Sequence, residues 1–200
     1  LVNILGADQE QVVAAFGVTA IVAPILGVVI GGLWTDKVLG GYQGAQPMAT
    51  ALKWVFIFGV CSAGSAIACT WVQPFGGAYI VAVAFIGLTL VFGGAVIPTA
   101  TGILIASVDS DLRQFASAGS LFAFQLFGYA LAPLLSALVM QVASSLGMDE
   151  DGQLKLGFRL IMYWGIFGVI ALFMTWQSAK RVADAEEPTV PAKDVEVGRV

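Results

Sequence analysis

The sequence predicts an all-α membrane protein with five transmembrane helices. Mean hydropathy is +0.90, and charged residues make up 11% of the chain, against about 25% in soluble domains. All thirteen acids and nine bases lie outside five long apolar runs. These runs cover residues 11–34, 54–72, 76–106, 115–146 and 160–178. Each provides the roughly 20 apolar residues that a helix needs to cross the hydrocarbon layer, and none alternates as barrel strands do.

The distribution of basic residues predicts the orientation of these helices. Lys and Arg are enriched in cytoplasmic connections. Counted over alternate connections, seven of the nine bases fall on one side of the membrane and two, Lys155 and Arg159, on the other. The side with seven carries Lys37, Lys53, Arg113, Lys180, Arg181, Lys193 and Arg199. We therefore expect a multi-pass integral membrane protein whose C-terminus is cytoplasmic.

The chain divides into three parts by composition. Residues 1–10 are predicted to be an extracytoplasmic loop or the end of a preceding helix, because the first residue is Leu and no signal-peptide pattern follows. Residues 11–180 are predicted to form the transmembrane bundle. Residues 181–200 combine charges with prolines and few large apolar groups, which predicts a disordered cytoplasmic tail.

The residues needed for several kinds of chemistry are missing from the sequence. There is no His, no acid or base lies within an apolar run, and both cysteines, Cys61 and Cys69, lie inside the second run. General acid or base catalysis and metal binding depend on those residue types. We therefore expect no enzyme activity, no cofactor, no metal site and no nucleic-acid partner.

The five runs differ in their aromatic and helix-disturbing residues. The second and fifth runs have aromatic residues near their ends, which predicts interfacial anchoring and a lipid-facing position. The first, third and fourth runs contain Gly and Pro, which either allow close packing or form hinges. The candidate hinge residues are Pro24, Pro98, Gly128 and Pro133.

Charged residues follow the first run and open the fourth. Lys37 complements the negative end of the first helix dipole, whereas Asp36 does not. Asp36 is either a solvated turn residue or a group that binds helix N-termini or arginines when the cytoplasmic face closes. Arg113 is either a positive-inside anchor or a partner of Asp36 or of the nearby Asp109 and Asp111.

Two stretches resemble a known family of carriers. "GLWTDK", from Gly32 to Lys37, resembles the cytoplasmic loop motif of the major facilitator superfamily, in which a glycine is followed four residues later by Asp and then by a base. Residues 97–140 resemble the spinster-like branch of that superfamily. The residues that carry this second resemblance are Arg113, Ala116, Ala118, Gly128, Ala132 and Pro133.

The resemblance implies helices eight to twelve of a twelve-helix carrier that works by alternating access. It implies a gating motif of Gly32, Asp36, Lys37 and Arg113. In the helices that would line the path, Thr99, Gln125 and Tyr129 are candidate substrate contacts, although such residues also bond neighbouring helices.

The expected function is transport of a small organic, lipid-like solute by secondary active or facilitative transport. The expected partners are membrane lipids, the solute, and a missing N-terminal helical half of the same carrier. A competing hypothesis is a membrane scaffold or receptor-like protein that derives from a carrier and no longer transports.

Overall fold

The computed structural model describes residues 8–41, 44–73 and 77–186. No strand occurs among these residues. Five helical segments are long and apolar enough to cross a membrane. The predicted fold class, all-α with five candidate membrane spans, is therefore confirmed at that level. The α-helices are α1 Gln9–Leu33, α2 Ala45–Cys69, α3 Ala78–Ala106, α4 Arg113–Phe124, α5 Ala132–Ser145 and α6 Glu150–Glu186. The fourth span contains both α4 and α5.

Two stretches widen into π-helix. The Trp34 segment, Trp34–Val38, continues α1, and the Gln125 segment, Gln125–Leu131, joins α4 to α5 within the fourth span. A 3₁₀ turn, Ser110–Leu112, precedes α4. Because π turns within α-helices are rare and are often found at functional sites, these two positions merit comparison with the residues selected from the sequence.

The helices extend beyond the apolar runs at several ends. α2 begins at Ala45, after Gly44 with φ 97°, and α6 runs from Glu150 to Glu186 over 37 residues. At 1.5 Å per residue α6 is about 55 Å long, against a hydrocarbon layer of about 30 Å. Hydropathy detects only the portion within hydrocarbon, so it places connections where the helices in fact continue.

Two predicted loops and part of the predicted tail are therefore helical. Most of the expected loops 35–53 and 147–159 and residues 181–186 of the expected disordered tail lie in helices. Residues 1–7 and 187–200 lie outside the described residues.

The helices pack in a row in the order α1, α3, α2, α6, α5. Backbone-directed contacts show their relative directions: Ser62 of α2 donates to the Thr89 carbonyl of α3, and Cys69 contacts the carbonyl of Ala82, so α2 and α3 are antiparallel. α1 and α3 are parallel, because their contacts advance in the same direction along both helices: Gly27 lies against Val91, and Gly31 lies against Ala95. The row places the Asp36 end of α1 beside the end of α3.

Several aromatic residues of the second and fifth spans pack against neighbouring helices. Phe56 of α2 stacks on Trp176 of α6, with ring centroids 5.6 Å apart. Trp54 of α2 makes an edge contact with Trp34 at 4.8 Å. The position of an aromatic ring along a helix does not say which face it occupies, and here these rings face neighbouring helices.

Candidate functional site

The Trp34 segment, which contains Asp36, lies at an exposed end of the bundle. Asp36 and Lys37 are both exposed within the Trp34 π segment, and Gly32 is half-buried one turn earlier. A Cβ at Gly32 would meet no atom within 4 Å. Arg113, also exposed, donates from Nε to the Val108 carbonyl at 3.4 Å. The charged residues of the predicted gating motif, Asp36, Lys37 and Arg113, are thus exposed, and Arg113 bonds a carbonyl of the connection that precedes it.

Directly beside this segment, two buried hydroxyls join α1 to α3. The Thr35 hydroxyl lies within 2.9 Å of the Gly31 carbonyl and donates to it, so the Thr99 hydroxyl is the donor in the short Thr35–Thr99 bond. Both threonines are 3% exposed. Thr99 was selected as a substrate contact, but its hydroxyl bonds a neighbouring helix, which was the alternative role.

Sequence reasoning missed Thr35, although a spacing signal was present. Gly27, Gly31 and Thr35 are four residues apart, and so are Val91, Ala95 and Thr99, each 64 residues later. We call these six residues the α1–α3 seam. A repeat of four places residues on one helix face, and the contacts of Gly27 with Val91, Gly31 with Ala95 and Thr35 with Thr99 show that the two faces meet in parallel.

The seam brings the two backbones into direct contact. A Cβ added at Gly27 would lie 2.1 Å from the Val91 carbonyl oxygen, and one at Gly31 would lie 2.2 Å from the Ala95 carbonyl oxygen. Such closeness favours Cα–H···O=C contacts, which recur at helix–helix interfaces. Gly94 contributes from the other side, because its Cβ would lie 2.7 Å from the Pro24 carbonyl oxygen.

The seam ends at a group of aromatic rings. Trp34 contacts Trp54 and Phe58, at centroid distances of 4.8 and 6.5 Å. The Trp34 indole nitrogen is buried and has no hydrogen-bond acceptor. A buried unsatisfied N–H destabilises the folded state by about 1–3 kcal/mol.

The second candidate cluster coincides with the Gln125 π segment. Gln125 and Gly128 are exposed in this segment, and Pro133 follows it in the first turn of α5. The side chain of Tyr129 lies outside the described part of the structure. The Trp164 indole of α6 donates to the Phe127 carbonyl at 3.2 Å, a contact that the sequence did not suggest.

The candidate hinges differ in their surroundings. α1 continues as α-helix through Pro24, and α3 does so through Pro98. The backbone departs from α-helix at the Trp34 and Gln125 segments instead. Of the selected hinge residues, Gly128 lies within a π segment and Pro133 directly after it.

The two clusters lie on different parts of the row. The Trp34 segment continues α1, the first helix of the row, and the Gln125 segment leads into α5, the last helix of the row. Within the described residues, no group of three His, Cys, Asp or Glu residues is placed to hold a metal ion. Comparison of the chain with models of protein families, with characterised proteins and with solved structures finds no match.

Proposed function

We propose that the chain forms part of a transporter that moves a small organic solute across a membrane by alternating access. The observation that carries this proposal is the division of the fourth span. α5 is packed on α6, whereas no residue of α4 is buried, and a seven-residue π segment separates the two halves. The helix is not broken here, but π turns within α-helices are often found at functional sites.

The exposed side chains of α4 support a path along this helix. Ser117 and Gln125 are exposed polar groups on a helix that would otherwise meet hydrocarbon. Polar side chains in spans usually face the interior of a bundle or a water-filled cavity. Phe115 and Phe122, 78% and 67% exposed, lie seven residues apart on one face that suits lipid. In the proposal, the polar side of α4 faces the solute.

The proposed orientation places the Asp36 end of the bundle in the cytoplasm. It rests on the excess of Lys and Arg in the connections at that end. Asp36 and Arg113, exposed there, are the proposed gating charges, which would pair in one state and separate in another. Their exposure in the described state is compatible with an open face.

A second half of the carrier completes the proposed path. The row of helices leaves extensive apolar surface exposed on α1, including Phe16 at 45% and Ile21 at 66%. Lipid and a partner bundle together would cover this surface. The resemblance to spinster-like carriers makes a lysolipid the first solute to test, ahead of sugars and organic anions.

The five apolar runs contain no Asp, Glu, Lys, Arg or His that could bind a coupling proton. Intramembrane carboxylates usually serve that role. In the proposal, coupling therefore depends on a carboxylate elsewhere in the carrier, or transport is facilitative. Uptake measured with and without a pH gradient separates these two cases.

Uptake by vesicles that contain the intact protein tests the proposal. We expect accumulation of a labelled solute that saturates with concentration, and slower uptake when Gln125 is replaced by Ala. Intact, inserted protein that binds a lysolipid without moving it, or that moves none of the three solute classes, would contradict transport and favour the scaffold hypothesis.

A further inference from the structure

The two halves of the fourth span are held differently. In α5, the buried Ser136 hydroxyl donates to the Gly157 carbonyl of α6 at 3.0 Å. A Cβ on Gly157 would lie 2.6 Å from the Met140 sulfur, so the helices are in close contact here. α4 has no buried residue. We call α5, which is packed on α6, the docked half of the fourth span, and α4, none of whose residues is buried, the undocked half.

The segment between these halves has unusual backbone bonding. In a π turn each N–H bonds the carbonyl five residues earlier, so carbonyls at its junctions with α-helix lose their ordinary donors. Pro133, directly beyond, has no N–H to donate. The Phe127 carbonyl accepts a bond from the Trp164 indole at 3.2 Å. The Trp164 ring is itself held by an edge contact with Phe167, with centroids 5.3 Å apart.

We propose that Trp164 is a positioning residue that controls the angle at which α4 leaves the bundle. While its indole bonds the Phe127 carbonyl, the π segment is fixed to α6 and α4 keeps its described direction. When that bond breaks, α4 turns about the π segment and α5 remains docked through Ser136. This inference rests on the proposed function, in which α4 borders the solute path.

The two bonds between these helices make such independent movement physically reasonable. Trp164 of α6 donates to Phe127 within the Gln125 segment, and Ser136 of α5 donates to the backbone of α6, so the segment and α5 are each bonded to α6 separately. Individual interhelical bonds in membranes are weak, so the loss of one shifts an equilibrium by about threefold. A bond of that strength can break during a functional cycle and form again.

Distances between spin labels test the inference in the intact protein, with Cys61 and Cys69 replaced by Ala. One pair of labels, at Gln114 of α4 and Lys180 of α6, reports on the undocked half. A second pair, at Leu138 of α5 and Ile170 of α6, reports on the docked half. All four labelled side chains are exposed.

We expect Trp164→Phe to raise the population of displaced α4 distances about threefold and to leave the α5 pair unchanged. Trp34→Phe is the matched control, because it removes an indole N–H that has no acceptor, and it should change neither pair. Ser136→Ala should alter the α5 pair. An unchanged α4 pair in Trp164→Phe, or equal changes in both pairs, would overturn the inference.

A measurement on the unsubstituted protein applies if Trp164→Phe does not fold. The indole N–H of Trp164 should exchange with solvent deuterium more slowly than that of Trp71, which is 62% exposed. Equal exchange rates would overturn the inference. These measurements use no solute, so a protein that transports nothing can still show the α4 movement, and the two proposals fail separately.

Discussion

Replacement of Gly31 by Ala tests the closeness of α1 and α3. The added Cβ would lie 2.2 Å from the Ala95 carbonyl oxygen and 2.7 and 2.8 Å from two other Ala95 backbone atoms. Ordinary contact begins at 3.4 Å. Because every obstacle is backbone, no side-chain rotation relieves the overlap, and the helices must separate by about 1 Å. A gap of that size forfeits a quarter to a half of the dispersion energy of each atom pair.

We expect Gly31→Ala to lower the free energy of unfolding by about 3 kcal/mol, the upper end of the range for overpacked sites. Gly32→Ala is the matched control, since the neighbouring Cβ would meet nothing within 4 Å. In a helix interior, Ala is favoured over Gly by up to about 1 kcal/mol. Gly31→Ala should therefore lower the free energy of unfolding and Gly32→Ala should raise it slightly, with a difference of about 3–4 kcal/mol between the two variants.

Unfolding in mixed micelles, followed by tryptophan fluorescence and circular dichroism, measures this difference. Gly27→Ala and Gly17→Ala form a second pair, because a Cβ at Gly27 would lie 2.1 Å from a carbonyl oxygen and one at Gly17 would meet nothing. If Gly31→Ala and Gly32→Ala unfold within about 0.5 kcal/mol of each other, the usual limit for substitutions without structural effect, the described helix spacing is wrong.

Three further predictions concern hydroxyl bonding, gating and solute contact. Thr99→Val should lower the free energy of unfolding by about 0.6 kcal/mol and Thr35→Val by more, because Thr35 takes part in both hydroxyl bonds; equal values in micelle unfolding would contradict this network. Asp36→Ala and Arg113→Ala should each slow vesicle uptake while membrane insertion stays normal, and unchanged uptake rates would exclude the gating role. Gln125→Ala should raise the solute dissociation constant in equilibrium binding, and an unaltered constant would remove Gln125 from the path.

The sequence predicted the number of spans because charge exclusion from hydrocarbon is a strong, local signal. Of the four hinge candidates, Gly128 lies within the Gln125 π segment, whereas α-helix continues through Pro24 and Pro98. Helix ends were less predictable. α6 continues to Glu186 because a polar stretch of helix is stable in water when part of it packs, as Ala183 does at 1% exposure. Average hydropathy contains no such packing information.

The pairing of helices was less predictable than their number. Trp54 and Trp176 were interpreted as interfacial anchors, because position along a helix is visible in the sequence and the identity of a facing helix is not. The Trp164–Phe127 hydrogen bond could not be predicted for the same reason, because the two residues are 37 positions apart in the sequence and only the fold brings them together. The four-residue spacing of Gly27 and Gly31 can be read from the sequence, but nothing in the sequence identifies α3 as the helix that they face.

The geometry of the seam bears on where the chain can move. Glycine-to-carbonyl contacts at two successive turns allow almost no sliding, because a small shift places each carbonyl against a neighbouring side chain instead of the Gly27 or Gly31 Cα. The Thr35–Thr99 bond closes the same interface at the Asp36 end. α1 and α3 should therefore move as one body. No residue of α4 is buried, so a change of state that leaves the seam intact is expected to turn α4 about the Gln125 segment.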